Sequence, residues 1–190
     1  MRKIPTLFQR DHEGPTKGLV RDEVFPDAQW VLDGEGIPTR KWDGSCCLVQ
    51  EGVLYKRHAI KEGKVVPEGW MPAQGAEDGQ LGWLPVMEGN EDRWFREASR
   101  KDLEDGTYEL CGPKVQGNPE HFLDHLLVPH GWMSPEDMTH FLTAPRDFAG
   151  LRKWFSESDV EGIVWHHPDG RMVKIKGRDF GLKRGSGDVK

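Results

Sequence analysis

Cysteine is scarce in this sequence, long apolar runs are missing, and positive charge is outnumbered by negative. There are three cysteines in 190 residues. Cys46 and Cys47 are adjacent, where a strand would point them to opposite faces, and the odd count leaves one thiol over, which argues against a disulfide framework. No apolar run approaches the roughly eighteen residues needed to cross a bilayer, and mean hydropathy is −0.69, which excludes a membrane-spanning chain. The segment from Met1 to Arg10 has basic residues but no apolar stretch or small-residue cleavage site, so a cytoplasmic protein without a secretory signal is expected. Glycine (23) and proline (13) stay below the roughly 25–30% of low-complexity chains. A folded, loop-rich single domain spanning 1–190 is expected.

Lys and Arg number 26 against 32 Asp and Glu, a net charge of −6, which argues against broad electrostatic affinity for nucleic acid. The balance is uneven along the chain. Arg171 to Lys190 holds seven basic and two acidic residues, giving +5 there and leaving −11 for the rest. A basic end on an acidic body can hold phosphates locally, and residues 177–190 read as a basic C-terminal tail.

Ser45 to Gln50 and Val53 to His58 are strand-like runs joined by Glu51-Gly52, which predicts a β-hairpin with Lys41-Trp42-Asp43-Gly44 just ahead of its first strand. Glu68 to Asp92, rich in glycine, proline and acids, predicts a long surface excursion. A helix is expected over Glu91 to Lys101 and a strand over Gly106 to Val115. Asn118-Pro119 carries a helix-start signal and predicts a helix through Leu127. Ser134-Pro135-Glu136-Asp137 repeats that signal, and a further helix is expected from Arg146 to Phe155. Gly162 to His166 and Arg171 to Lys176 predict a second hairpin about Pro168-Asp169-Gly170. Strands at both ends with helices between them indicate an α+β fold with antiparallel sheet.

In that last hairpin Val173-Lys174-Ile175-Lys176 alternates, so both ammonium groups share one face. Like charges this close are unfavourable unless an anion lies between them. Glu161 stands near the mouth of the same hairpin, and a carboxylate beside two lysines can hold a metal ion while they hold phosphate. Lys41 can act as a covalent nucleophile once its amine is deprotonated, which neighbouring cations such as Lys174, Lys176 and Arg57 promote.

In order along the chain, Lys41-Trp42-Asp43-Gly44 resembles motif I of the covalent nucleotidyltransferase superfamily, the ATP-dependent ligases and mRNA capping enzymes. Lys56-Arg57 resembles the short basic motif that follows, Thr107-Tyr108-Glu109-Leu110-Cys111-Gly112 motif III, Glu161-Gly162-Ile163-Val164 motif IV, and Val173-Lys174-Ile175-Lys176 motif V. The runs Lys41 to Cys47 and Tyr108 to Lys114 are most similar to small RNA ligases related to the vertebrate 5′-to-3′ RNA ligase. The resemblance implies an adenylyltransferase domain, an ATP-grasp-like ligase domain of two antiparallel β-sheets flanked by helices with the nucleotide in the groove between. With fourteen residues after Lys176, neither an OB-fold domain nor motif VI is expected, which disfavours a DNA ligase or capping enzyme.

The resemblance also implies a reaction with ATP and Mg²⁺ (or Mn²⁺), passing through lysyl-AMP and RNA-adenylate to join RNA 5′-phosphate and 3′-hydroxyl ends in RNA repair. Carried over, Lys41 is the nucleophile, Arg57 contacts the AMP phosphate or ribose, and Glu109 binds the ribose. Glu161 binds the metal, Lys174 and Lys176 hold the α-phosphate, Asp43 holds metal-bound water or braces the loop, and Gly44 lets the backbone turn. Ends of this kind imply a separate end-healing kinase and phosphatase, and a monomer is expected. Two alternatives stay open: another covalent nucleotidyltransferase, such as a DNA nick ligase or GMP-transferring enzyme, and a non-catalytic nucleotide- or RNA-binding module of the same fold. Phe122, His130 and Trp132 are candidates to stack on adenine, and Trp42 and Trp165 to wall the pocket. His121 and His125, four apart on the expected helix, make a two-ligand zinc face without a second pair to complete it, and packing is the simpler role for Cys46 and Cys47.

Overall fold

The computed structural model describes residues 4–75 and 80–184; the end of the expected tail, 185–190, lies outside them. The chain begins with β1 (Phe8–Arg10), β2 (Val20–Val24), α1 (Gln29–Leu32) and β3 (Ile37–Lys41). It continues through β4 (Ser45–Gln50), β5 (Val53–Ala59), β6 (Met71–Pro72), β7 (Leu81–Pro85), α2 (Arg93–Ala98), β8 (Gly106–Cys111) and β9 (Leu126–Pro129). It closes with α3 (Pro135–Leu142), α4 (Phe148–Glu157), β10 (Gly162–His166) and β11 (Met172–Lys176). Contacts divide it into two compact units, one of residues 42–130 and one of residues 4–41 with 131 onward. The structure is mixed α/β with antiparallel sheets and few helices. Among the described residues there are three sheets, of two, three and six strands, where two were expected. No helix among the described residues is long and apolar enough to cross a membrane.

The unit of residues 42–130 is built on the six-stranded sheet, in the order β6-β7-β5-β4-β8-β9 with every neighbour antiparallel. Its β4–β5 hairpin turns at Glu51 and Gly52, both at positive φ (53° and 74°), the backbone that matches the twist of paired strands. Cys47, Val49, Tyr108 and Leu110 alternate onto one face and pack against Ala98 of α2. The opposite face carries Cys46, Thr107 and Glu109.

Two expectations in this unit are corrected. The excursion over 68–92 contains β6 and β7, and β7 pairs with β5 along its length, burying Trp83. Gly82 and Pro85 hid a short strand that is stabilised by its neighbour. The expected helix over 118–127 does not form: Asn118 and His121 lie at positive φ (55° and 56°), and Leu126–Pro129 is a strand beside β8. Asn118 turns the chain by accepting from Phe122 N–H and donating to Phe122 O, both at 3.0 Å. The free edge of β8 gains a full ladder from β9, which outweighs the local start signal. The two-histidine helix face disappears with it: His125 is buried, stacks on Trp94 and lies 2.9 Å from Glu97 Oε1.

In the other unit β3, β10 and β11 form the three-stranded sheet, with β10 central. Thr6 adds a parallel bridge on the outer edge of β11, where Leu7 N–H donates to Lys174 O at 2.8 Å and Lys174 N–H to Pro5 O at 3.0 Å. Ile163, Trp165, Val173 and Ile175 face a core completed by Leu151 and Phe141, all nearly fully buried; each contributes on the order of 1.5–3 kcal/mol. Trp165 is therefore core, not a pocket wall. α3 starts as expected, with Ser134 Oγ accepting from Asp137 N–H at 3.0 Å. α4 begins two residues later than expected because Asp147 caps it, accepting from Gly150 N–H at 2.9 Å. β3 itself is absent from the sequence reading: Pro38 reads against a strand but is tolerated because β3 is an edge. Gly177–Phe180, assigned from sequence to the tail, is a 3₁₀ turn with Asp179 and Phe180 buried.

Candidate active site

β10 pairs with β3 on one side and β11 on the other, so Gly162 stands directly between Lys41 and Lys176. Directly opposed residues in antiparallel strands share a face. Lys41 and Lys176 therefore flank a residue with no side chain, and Glu161, one position earlier, fills the gap. Its Oε2 lies 2.6 Å from Lys41 Nζ and its Oε1 2.5 Å from Lys176 Nζ. Lys174, two residues before Lys176, shares that face, and its ammonium has no carboxylate within salt-bridge distance among the described residues. Burial, then Lys176 and Lys41, lower Lys174 to about 8. Burial and Lys41 also push Lys176 down, against the opposing pull of Glu161. Behind Lys176, Asp179 accepts its backbone N–H at 3.0 Å and pairs with Arg10 at 2.6 Å. Among the described residues four cations thus surround two carboxylates, an arrangement suited to an anion such as phosphate.

In the unit of residues 42–130, Cys46 stands opposite Glu109 across β4 and β8. Arg57 Nη1 lies 3.8 Å from Cys46 Sγ. Burial first, then Glu109, push the Cys46 thiol up to about 11, with Arg57 pulling the other way. Glu109 is buried, and its Oε2 lies 3.0 Å from His130 Nε2. Lys56 points to the opposite side, into an ion pair with the buried Asp92. Of the basic pair, only Arg57 stands on the side of Glu109. Asp43 N–H donates to Glu120 Oε1 at 2.9 Å, so this backbone is braced by a carboxylate.

Gly44 is required by space. A Cβ there would lie 2.1 Å from Leu110 O, where β4 first pairs with β8. Gly44→Ala is expected to destabilise the chain by about 1–3 kcal/mol, seen as a lower midpoint in urea denaturation.

Lys41, Glu161, Lys174 and Lys176 are all expected from the sequence, and the fold gathers all four. Arg10 and Asp179 behind Lys176 are not expected from it, because no local pattern links positions 169 residues apart. Nor is Cys46 as the partner of Glu109, although alternation along β4 and β8 carried that signal. Of the aromatic candidates, Phe122 packs against the buried Trp42 at a centroid distance of 5.7 Å, His130 is tied to Glu109, and Trp132 is half exposed.

A family model described as RNA ligase 1 matches residues 88–190, a span that includes Glu109, Glu161, Lys174 and Lys176. The chain is similar to RNA ligase 1 of Pongo abelii, 26% identical over 270 aligned positions covering 95% of this chain and 81% of the relative. RNA ligase 1 of Mus musculus is 25% identical over 269 positions, covering 95% of this chain and 80% of the relative. A shorter match, to RNA ligase 1 of Danio rerio, is 38% identical over 91 residues, 43% of this chain and 26% of the relative.

Proposed function

Because the chain belongs to the RNA ligase 1 family, we propose that it seals RNA, joining a 5′-phosphate to a 3′-hydroxyl at the expense of ATP through lysyl-AMP and RNA-adenylate. The observation that supports this reading is the cluster of Lys41, Lys174 and Lys176 about the Glu161 carboxylate.

In the first step the deprotonated Lys41 amine attacks the α-phosphorus of ATP; a P–N bond forms, and the bond to pyrophosphate breaks. Lys174 and Lys176 hold the α-phosphate oxygens, whose charge grows as the phosphorus becomes five-coordinate. In the second step an RNA 5′-phosphate oxygen takes the AMP, the P–N bond breaks, and Lys41 regains its amine. In the third the RNA 3′-hydroxyl attacks that 5′-phosphorus and AMP leaves. Glu109 accepts hydrogen bonds from the ribose and Arg57 contacts the AMP. The donor set also fits Mg²⁺ or Mn²⁺, since such ions take one or two carboxylates together with substrate phosphates: Glu161 would hold the ion, with Asp43 on its water, and bound there it would neutralise phosphate charge. RNA ends of this kind call for an upstream kinase and phosphatase.

Incubation with α-labelled ATP or GTP and Mg²⁺, after pyrophosphate treatment to remove preloaded AMP, tests the reading by denaturing electrophoresis. Label from ATP alone is expected, discharged by RNA bearing a 5′-phosphate and converted to sealed RNA. Label from GTP would instead indicate a GMP-transferring enzyme, and sealing confined to DNA a nick ligase. No label from either would indicate a binding module.

A further inference from the structure

Three donor atoms of different chemistry converge on one face of the six-stranded sheet. The Cys46 thiol, the Glu109 carboxylate and the His130 imidazole each offer an atom, all within 4.8 Å of one another. They come from three adjacent strands or their ends: Cys46 on β4 opposes Glu109 on β8, and His130 directly follows β9. Its backbone N–H donates to Thr107 O at 3.0 Å, which places its side chain on the face shared by Thr107 and Glu109. The ring is held at both nitrogens, with Nδ1 2.9 Å from Thr107 Oγ1 and Nε2 3.0 Å from Glu109 Oε2. A histidine oriented through Nδ1 by a second group, with Nε2 directed at other donors, has the support found around metal-binding imidazoles.

We propose that Cys46, Glu109 and His130 form a site for one divalent transition-metal ion of the zinc class. Sulfur, imidazole and carboxylate together suit zinc and not Mg²⁺ or Ca²⁺, which take oxygen ligands. Bonds of about 2.0–2.3 Å in a tetrahedron put donors about 3.3–3.8 Å apart, so closure requires side-chain shifts of about 1 Å. On binding, the Cys46 thiol releases its proton to solvent and its sulfur donates an electron pair to the ion; nothing is oxidised. Thiolate and carboxylate then balance the two positive charges, while Arg57 beside the sulfur favours the thiolate and opposes the ion. The fourth position is left for water. One consequence rests on the proposed function: an ion on Glu109 withdraws the carboxylate assigned to the ribose, so zinc-class ions and nucleoside compete.

Cobalt(II) titrated into the full chain without nucleotide tests the site. A thiolate-to-cobalt charge-transfer band saturating at one equivalent and displaced by zinc is expected. Cys46→Ser should abolish the band, and His130→Gln and Thr107→Val should each weaken cobalt binding at least about tenfold, with circular dichroism showing the variants folded. Thr107→Val, which removes only the group behind the ring, serves if either ligand variant does not fold. Absence of the band in the wild type, its persistence in folded Cys46→Ser, or unchanged affinity in folded His130→Gln and Thr107→Val would overturn the site. Adenosine, which has the ribose without metal-chelating phosphates, should weaken cobalt binding, and unchanged cobalt affinity would overturn the competition. A band in a chain that takes no ATP label would sink the ligase reading alone, whereas label without a band would sink the metal site alone.

Discussion

Lys41→Ala is expected to take no label from ATP and to seal no RNA, and Lys41→Arg to give the same null result. The expected loss is at least about 10⁴-fold, as for removal of a covalent nucleophile. The arginine variant carries the stronger inference. Its guanidinium keeps the positive charge beside Glu161 but cannot be deprotonated in a protein, so it retains the electrostatics and lacks only the nucleophile. Lys41→Ala leaves Glu161 its bond to Lys176 and should cost about 1 kcal/mol of stability, checked by urea denaturation. Labelling that survives in either variant would mean that the lysyl-AMP forms elsewhere.

Glu161→Gln is expected to have the second largest effect, and on two quantities. Its side chain and those of Lys41 and Lys176 are 10%, 20% and 11% exposed, so removing the charge leaves partly desolvated ammonium groups facing an amide. Breaking a buried pair from one side costs about 3–5 kcal/mol, and partial exposure brings the expected loss to about 2–3 kcal/mol. Adenylylation should fall about 10²–10³-fold, the usual cost of losing one preorganised polar group. Glu161 raises both Lys174 and Lys176, so its removal lowers them further. A lysine depressed to about 8 when folded and ionised above that when unfolded adds stability as pH rises, because the unfolded chain binds more protons. The stability deficit of Glu161→Gln should therefore narrow as pH rises towards about 8, where Lys174 of the variant has already lost the proton that the parent's still holds. Adding Lys176→Met should recover stability without recovering labelling, because it removes an uncompensated charge and, with it, a group assigned to the α-phosphate. A variant as stable and active as the parent would remove Glu161 from both roles.

Much was legible because the rules involved act within a few residues. The Glu51-Gly52 turn, the Ser134 cap and the alternation through Val173 to Lys176 each follow from backbone geometry, and each stands close to where it was expected. The same shortness of range explains the failures. Asn118-Pro119 carries a sound helix-start signal, yet β8 offers residues 126–129 a ladder that no local preference can match. Trp83 lies in a stretch whose composition reads as loop, and its strand exists because β5 has a free edge beside it.

The sequence alone determined which chemistry is present and in what order: a lysine before an Asp-Gly pair, a glutamate in a strand, then a glutamate and two alternating lysines. Only the tertiary structure decided that Glu161, 120 residues from Lys41, sits between that lysine and Lys176, and that Cys46, Glu109 and His130 share one face. Residue identity specifies charge and donor type, whereas proximity across such separations depends on which strands complete one another's hydrogen bonds, and that is settled only when the sheets assemble.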